Sequence, residues 1–385
     1  MLQSLYNSLS GLFGFTKSLD TISNNISNMN TPGFRGSDSF FENVMDGDGT
    51  RVVGTGLRLG EGQIEQTGND TDVAVQGEGL FILNDPSGVT YYSRAGQFTF
   101  DPTGNLVDTV SGYNVQGIDS SGNLGNINIT SLRTLPAAAT TTVNMVGNLS
   151  GNDTSVPVTG ITIYDAQGTA HTFSVAMTRT ATSQAGSWTA TITDDQGATV
   201  GSGEIRFDQT GAIEAGFNTV TASDVLGGKS QALTFNFGTP GSISGATELP
   251  GTPSGLTAKV QDGHPVIGIA TETFDQNGIL QLTYSDGEKK TGPQLALASF
   301  ADESSLQALN ARLFSQPPNQ KAVIGRPNSG DFGQIIGGSL EMSNVDLTQE
   351  LADMIVIQRG YQASSHAMTI SSDMLQQLYD STRSE

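Results

Sequence analysis

The 385-residue chain contains no cysteine and only three histidines, His171, His264 and His366. The lack of cysteine excludes disulfides, cysteine-ligated zinc, iron–sulfur clusters and thiol nucleophiles. The histidines are scattered, and neither a His-Glu-x-x-His zinc helix nor a phosphate-binding Gly-x-x-x-x-Gly-Lys loop occurs. We therefore expect no metal, no cofactor and no enzymatic activity.

Basic residues are also scarce. The chain has 17 Lys and Arg against 38 Asp and Glu, which gives a net charge of −21. A chain this acidic repels phosphate backbones, so we expect no nucleic-acid partner. Charged residues make up only 14% of the chain, whereas glycine contributes 48 residues.

Long apolar runs are absent. The longest, at 265–270 and 295–300, are too short to cross a bilayer, so we expect no membrane insertion. The first residues, MLQSLYNSLSGLFGFTK, lack the basic region and the unbroken apolar core of a secretory signal peptide. If the chain leaves the cell, we expect its export to involve no cleaved signal peptide.

Helical periodicity occurs mainly at the two ends of the chain. Apolar residues recur every seven positions there, which predicts coiled-coil helices. The N-terminal lane is Leu5, Leu12, Leu19 and Ile26, and the C-terminal lane is Leu347, Met354, Tyr361, Met368 and Leu375. The first helix should end before Thr31-Pro32-Gly33, because proline disfavours helix at the residue before it. Asn344 or Asp346 is expected to cap the second helix.

Ordinary core packing within one chain also produces such lanes. Two features favour assembly instead. Both helices lie at chain ends, which usually fray, and each carries apolar residues on more than one face. We therefore predict that the two lanes pack on each other and on neighbouring copies of the chain.

Between about residues 70 and 335 the sequence alternates in short, strand-like segments. The motif Asp-x-x-Gly occurs seven times, and it suits a type I turn followed by a left-handed residue, a common hairpin connection. The predicted turns are Asp85–Gly88, Asp101–Gly104, Asp119–Gly122, Asp165–Gly168, Asp194–Gly197, Asp208–Gly211 and Asp275–Gly278. Calcium binding is the alternative, but Asp46-Gly-Asp48-Gly only begins like an EF-hand loop, since Arg51 occupies the required glycine position.

Together these patterns predict a mainly β fold with α-helical coiled-coil termini, which pair in a polymer, and nested discontinuous β domains. Stretches rich in Gly and Thr at 137–160 and 238–257 are expected to cross between an inner domain and an inserted one. The predicted parts are a terminal helical domain (1–30 and 340–385), an irregular connection (31–70), an inner β domain (71–147 and 261–339) and an inserted outer β domain (148–260). A short helix is predicted at 303–314.

Three blocks of the sequence resemble the family of bacterial flagellar rod and hook proteins. They are Leu9-Ser-Gly-Leu12 through Asn24-Asn-Ile-Ser-Asn28 to Thr31-Pro-Gly-Phe-Arg35, then Val75-Gln-Gly-Glu-Gly-Leu-Phe81 with Tyr92-Ser-Arg-Ala-Gly96, and finally Ser343-Asn-Val-Asp-Leu347 with Gln358-Arg-Gly-Tyr-Gln-Ala363. The blocks occur in the family's order. The residues that match its terminal motifs are Asn24, Asn25, Asn28, Gly33, Phe34, Asn344, Asp346, Gln358 and Arg359.

Within this family, residues 161–177, 203–213 and 274–284 resemble the outer domain of hook subunits and its return into the inner domain. The resemblance implies an extracellular, tubular homopolymer that joins the flagellar rod to the filament and transmits motor torque as a universal joint. It also implies contacts with the distal rod protein, the hook cap protein, the hook–filament junction proteins and the flagellar type III export apparatus.

Two alternatives stay open. One is a distal rod protein of the same family, which forms a rigid shaft. The inserted residues 148–260 argue against this alternative. The other is a secreted β-rich adhesin or carbohydrate-active enzyme, which would need convergent carboxylates or aromatic residues and would leave the terminal helices unexplained.

Overall fold

The computed structural model describes residues 2–43, 49–119, 121–180, 186–310, 312–317 and 319–383. In these ranges two long helices stand at the ends of the chain and short β-strands fill the middle, so the predicted fold class is confirmed. The chain forms two compact units. The first unit comprises Met1–Arg133, Ile269–Thr283 and Gly287–Glu385, and the second comprises Thr134–Gly268 and Tyr284–Asp286.

The helices are α1 (Leu2–Ser27) and α2 (Leu347–Arg383). Helix α1 ends before Thr31-Pro32-Gly33, as predicted. Asp346 rather than Asn344 caps α2, because its Oδ1 accepts hydrogen bonds from the backbone N–H of Thr348 (2.7 Å) and of Gln349 (3.2 Å). The N–H groups of Gln349 and Thr348 hold the pKa of the Asp346 carboxyl below its usual value.

The strands follow in chain order. The first ten are β1 (Ser37–Asn43), β2 (Thr50–Leu57), β3 (Ile64–Gln66), β4 (Val73–Gln76), β5 (Leu80–Asn84), β6 (Thr90–Ser93), β7 (Phe98–Phe100), β8 (Leu106–Asp108), β9 (Asn114–Ile118) and β10 (Leu124–Asn126). The next ten are β11 (Thr134–Leu135), β12 (Thr142–Asn148), β13 (Ser155–Tyr164), β14 (Ala170–Arg179), β15 (Ser187–Thr193), β16 (Thr199–Arg206), β17 (Thr219–Leu226), β18 (Lys229–Asn236), β19 (Ala246–Thr247) and β20 (Thr257–Val260). The remainder are β21 (Ile267–Phe274), β22 (Ile279–Tyr284), β23 (Lys289–Leu295), β24 (Leu297–Ser299), β25 (Gln307–Ala308), β26 (Leu313–Ser315), β27 (Val323–Gly325), β28 (Gln334–Gly337) and β29 (Ser339–Glu341).

The main sheet of the first unit runs β22–β23–β9–β5–β6–β26–β25. Its neighbouring strands pair antiparallel where their register is defined, for example Phe81 with Ser93. Two short ladders, β28 with β4 and β29 with β3, bring the segment before α2 back onto the early strands. The start of α2 is thereby fixed close to the chain that leaves α1.

The second unit contains two sheets, β13–β14–β15–β16 and β17–β18–β12–β19. Their apolar side chains form one core that includes the fully buried Trp188, Phe173 and Phe235. The predicted domain boundaries at 148 and 260 both fall inside this unit, and the division into an inner and an inserted domain stays a prediction.

All seven Asp-x-x-Gly turns are confirmed. In each, the glycine has a φ between 70° and 88°, and its N–H donates to the carbonyl of the aspartate. The aspartate side chain reinforces the turn: Oδ1 of Asp119, for example, accepts the N–H of Ser121 and of Asn123, both at 2.8 Å. These backbone donors, led by Asn123, hold the pKa of Asp119 below its usual value.

Two predictions about connecting segments are wrong. The described part of residues 31–70 is not irregular, because β1 and β2 pair antiparallel. The described residues of 303–314 do not form an α-helix: a single 3-10 turn at Glu303–Ser305 is followed by β25 and β26. Leu306, Leu309 and Leu313 have helical spacing, but Leu313 instead pairs with Ser93 of β6, so sheet formation prevails over the local pattern.

Asp46 and Asp48, which resemble the beginning of a calcium-binding loop, lie outside the described residues. Among the described residues, no three histidine, aspartate or glutamate side chains come close enough together to hold a metal ion.

Two turn glycines of the second unit offer a matched test of the fold. A Cβ on Gly211 would lie 2.5 Å from the carbonyl oxygen of Glu248, whereas a Cβ on Gly197 would meet nothing within 4 Å, and both residues have positive φ. We expect Gly197→Ala to lower the free energy of unfolding of this unit by about 1 kcal/mol, the cost of a left-handed alanine. Gly211→Ala should cost at least about twice as much. Chemical denaturation followed by Trp188 fluorescence measures both, and equal losses would contradict the assigned contact.

Candidate assembly site

Helices α1 and α2 pack antiparallel in one constant register. Four contacts define it, and in each pair the two residue numbers add up to 375. The contacts are Ser4 Oγ to Ser371 Oγ (3.1 Å), Gly11 against the side chain of Ser364, the Phe15 ring over Gly360, and Asn25 Nδ2 to Glu350 Oε1 (3.3 Å). Small and polar residues make most of these four contacts.

The heptad lanes predicted from the sequence lie beside this contact. On α1 the residues Leu5, Leu12, Leu19 and Ile26 are half-buried. On α2 the residues Met354, Met368 and Leu375 are half-buried, whereas Leu347 and Tyr361 are exposed. The predicted α1 lane lies one residue away from Ser4, Gly11, Ser18 and Asn25. Glycine and serine allow the helices to approach closely, but they give no signal in a search for apolar periodicity. The assembly role of both lanes stays a prediction.

Apolar side chains remain exposed on both helices. Besides Leu347 and Tyr361, those on α2 are Leu351, Ile355, Val356, Ile370, Met374, Leu378 and Tyr379, and those on α1 are Tyr6 and Phe13. Exposed apolar side chains that form a contiguous patch are typical of a protein–protein contact. Neither helix can therefore bury all of its apolar residues within one chain.

The hairpin β1–β2 packs along α1, which the sequence did not indicate. The Phe41 ring lies 6.3 Å from the Phe15 ring, and Ser39 Oγ is 2.9 Å from Thr21 Oγ1. Gly14 makes room for this packing, because a Cβ there would lie 3.0 Å from the Phe41 ring.

A buried carboxylate joins the two helices to this hairpin. Glu350, in the first turn of α2, is 0% exposed and lies 2.5 Å from an Arg58 guanidinium nitrogen. Asn25 of α1 donates to the same carboxylate, while its Oδ1 accepts the N–H of Ser37 (3.0 Å). A hydrogen bond with the carboxylate of Asp38, and a weaker effect from the carboxylate of Glu350, raise the pKa of Arg58. Helix α1, helix α2 and the β1–β2 hairpin therefore meet around the carboxylate of Glu350.

Asn344 crosses the same junction with both ends of its amide. Its Oδ1 accepts the N–H of Gly36 (2.8 Å), and its Nδ2 donates to the carbonyls of Arg58 (3.0 Å) and Gly60 (2.7 Å). This family-motif residue therefore ties the chain that leaves α1 to the chain that enters α2.

A second buried carboxylate, Glu341, anchors the junction to the β-strands. It pairs with Arg35 (3.1 Å) and with Arg94, and both Glu341 and Arg94 are almost fully buried. Arg94 also donates to the carbonyls of Val75 (2.8 Å) and Gly77 (2.7 Å). Burial lowers the pKa of Arg35, which the charge of Glu341 partly opposes.

Gly33 fits against the same cluster. Its φ is +70°, and a Cβ there would lie 2.3 Å from the backbone nitrogen of Ala95. Its N–H donates to the carbonyl of Glu341 (2.7 Å), and the neighbouring Phe34 is buried. Only glycine permits this approach, which explains its place in the Thr-Pro-Gly-Phe-Arg motif.

The other family-motif residues divide into two groups. Asn28 Nδ2 donates to the Asn24 carbonyl (2.9 Å) at the end of α1. Gln358 and Arg359 are exposed on α2, and their side chains make no hydrogen bond or ion pair with the part of the chain that the structure describes. Sequence reasoning missed the roles of Arg58, Arg94 and Glu341, because an isolated charged residue shows no pattern until the fold pairs it.

Arg58 pairs with two carboxylates, those of Glu350 and Asp38, which allows a controlled test of this junction. Glu350→Gln removes the buried charge, which should cost about 3 kcal/mol. Asp38→Asn removes the exposed one, which should cost about 1 kcal/mol or less. In the assembled polymer, hydrogen exchange of the first α2 amides should therefore accelerate roughly 100-fold in Glu350→Gln and less than about tenfold in Asp38→Asn. Equal acceleration would show that Glu350 does not hold the junction together.

No described helix is both long and apolar enough to cross a membrane. Four family models match successive parts of the chain. They are a flagella basal body rod protein model at residues 5–35, a flagellar hook protein FlgE/F/G D1 domain at 74–151, a flagellar basal body protein FlaE D2 domain at 134–311, and a flagellar basal body rod FlgEFG protein C-terminal model at 336–380.

Whole-chain relatives agree with these models. The flagellar hook protein FlgE of Salmonella typhimurium is 30% identical over 97% of this chain and 99% of its own. The FlgE of Rhizobium meliloti is 30% identical over 99% of this chain and 100% of its own. The crystal structure of Helicobacter pylori FlgE2 is 14% identical and covers 72% of this chain and all of its own, with a TM-score of 0.47. With 30% identity over almost the full length of its relatives, the chain belongs to the family of flagellar hook proteins.

Proposed function

We propose that this chain is the subunit of a flexible, tubular homopolymer, the flagellar hook, which transmits torque from rod to filament as a universal joint. The observation that carries the proposal is the pair of terminal helices, which leaves many large apolar side chains exposed in a single chain. Copies of the chain packed side by side would bury them, at roughly 1.5–3 kcal/mol for each large side chain.

Torque must pass from the helices to the β-strands without loss. The junction suits this task, because the carboxylates of Glu350 and Glu341 are buried and paired with arginines from other segments. Breaking such a pair leaves a buried charge without a partner, which is costly, so the junction resists deformation. Flexibility of the tube then arises between subunits, whose neutral polar surfaces can exchange contacts through water.

The family membership supports the finer features of this proposal. The hook would lie outside the cell, after export through the flagellar type III apparatus without a cleaved signal peptide. Its ends would contact the distal rod protein on one side and the hook–filament junction proteins on the other, with the hook cap protein present during growth. Its role would be structural rather than catalytic. The match of a D2 domain model to 134–311 favours this over a shorter, rigid rod subunit.

The helices should be ordered fully only in the polymer, because isolated helices with an open apolar side are marginal in water. Limited proteolysis of the dispersed chain should trim it to about residues 70–335, whereas the termini should resist cleavage in assembled tubes. Negative-stain microscopy of the concentrated protein identifies the tubes, and curved tubes are expected. Equal protection of the ends in both states would contradict this prediction, and an absence of tubes would contradict the proposed function.

Tyr361 allows assembly to be separated from folding. It is 41% exposed in the single chain, so an aspartate there costs the monomer little, yet in a tube the carboxylate would be buried in every subunit. We expect Tyr361→Asp to abolish tubes and motility while the melting temperature of the β-strands stays unchanged. The matched control is Gln362→Asp, which adds the same charge at the next, exposed position and should still form tubes. Tubes from Tyr361→Asp would refute the predicted role.

A further inference from the structure

A small cavity lies where α1, the β1–β2 hairpin and α2 come together. Its volume is about 160 Å³, and it is lined by residues within 18–22 of α1, 37–58 in and after the hairpin, and 353–357 of α2. Pockets for small-molecule ligands usually have about 300–1,000 Å³. This cavity, here called the junction pocket, is therefore too small for most ligands and suits a single side chain of a partner.

One polar group of the junction pocket lacks a partner. Ser18 lines the pocket and is 4% exposed, and its Oγ has no hydrogen-bond partner among the described residues. Buried hydroxyl groups in folded proteins are nearly always hydrogen-bonded. The pocket therefore holds a buried oxygen that can accept a hydrogen bond from an incoming donor.

The junction pocket also has an excess of negative charge. Asp353 lines it and is exposed, and its carboxylate forms no ion pair with any described residue. Arg58 is already shared between Asp38 (2.7 Å) and Glu350 (2.5 Å), so three carboxylates surround one guanidinium. Val356, which is 66% exposed, adds an apolar wall. The pocket therefore suits a side chain with an apolar stem and a cationic head, as arginine has.

Arg359 is an arginine that is free to enter such a pocket. It is exposed, and its side chain forms no ion pair with the part of the chain that the structure describes. At about 100° per residue it lies roughly 140° around α2 from Ser364, which contacts α1, so it faces away from α1. It cannot reach its own Asp353, because only residues three or four positions apart are neighbours on a helix. The other unpaired cation of the described helices, Lys17, lies beside its own strand β2.

We propose that Arg359 of one copy enters the junction pocket of a second copy, where it pairs with Asp353 and donates a hydrogen bond to Ser18 Oγ. The proposal rests on the proposed function, because only a polymer supplies the second copy. Each chain offers the arginine on one side and the pocket on another, so the contact repeats from copy to copy without closing, as a tube requires. Copies along a tube point in the same direction, so neighbouring α2 helices run parallel, offset by six residues or about 9 Å.

The absence of cysteine makes a cross-linking test direct. Ala363→Cys and Val356→Cys are made in separate chains, so that Arg359 and Asp353 stay intact in both. The two variants are mixed, assembled and treated with a short bis-maleimide. With parallel helices offset by six residues, Ala363 of one copy lies level with residues 356–357 of the next. We expect covalent dimers of the two variants in tubes and none in the dispersed mixture.

Matched pairs give the controls. Ala363→Cys mixed with Val225→Cys, an exposed valine of the second unit, should give no dimer. Dimers in tubes of Ala363→Cys alone would mean that like faces meet, which overturns the proposal, as does the absence of a Val356–Ala363 dimer in well-formed tubes. The proposed function is scored separately, since it fails only if the unmodified chain forms no tubes.

Charge reversal tests the ion pair independently. Arg359→Glu places two carboxylates together and should raise the concentration needed for tube growth at least about tenfold. Adding Asp353→Arg in the same chain should restore growth, because the opposite charges are then exchanged. Lys17→Glu makes the same change of charge at the other unpaired cation and should have a clearly smaller effect. An equal effect of Lys17→Glu, or a failure of Asp353→Arg to rescue growth, would overturn the assigned contact.

Discussion

The buried carboxylate of Glu350 is the contact on which the arrangement of the terminal helices depends. It lies where α1, α2 and the end of the β1–β2 hairpin meet, and Asn25 and Arg58 bind it there. An ionised group there is tolerated only while its partners stay in place. One charge therefore fixes three segments that are distant in the sequence, and Glu341 extends the same constraint to the β-strands through Arg94.

Features set by local chemistry could be predicted from the sequence. The Asp-x-x-Gly turns are complete in themselves, because the aspartate supplies the acceptor and the glycine supplies the left-handed conformation. The end of α1 before Pro32 and the cap at Asp346 are local in the same sense. The resemblance of the terminal motifs likewise led to the family that the comparisons establish.

Features that depend on distant partners could not be predicted in this way. Apolar periodicity indicated a seam through Leu12, whereas the helices meet through its neighbour Gly11, because close packing needs small residues there. In the β1–β2 hairpin, Gly54 and Gly56 interrupt the alternation of side chains that would reveal a strand. The ion pair of Arg94 with Glu341 spans 247 positions, and no short window of sequence can reveal it.

The constant register of α1 and α2 has a mechanical consequence. Because Phe15 sits over Gly360 and the contacts of Ser4, Gly11 and Asn25 share the same offset, a small axial shift would disturb all four at once. Packed interfaces of this kind have discrete arrangements rather than a continuous range. The helix pair therefore behaves as a stiff rod of fixed length. Because the rods cannot shorten or lengthen, the distance between neighbouring rods must differ between the inner and the outer side of a curved tube.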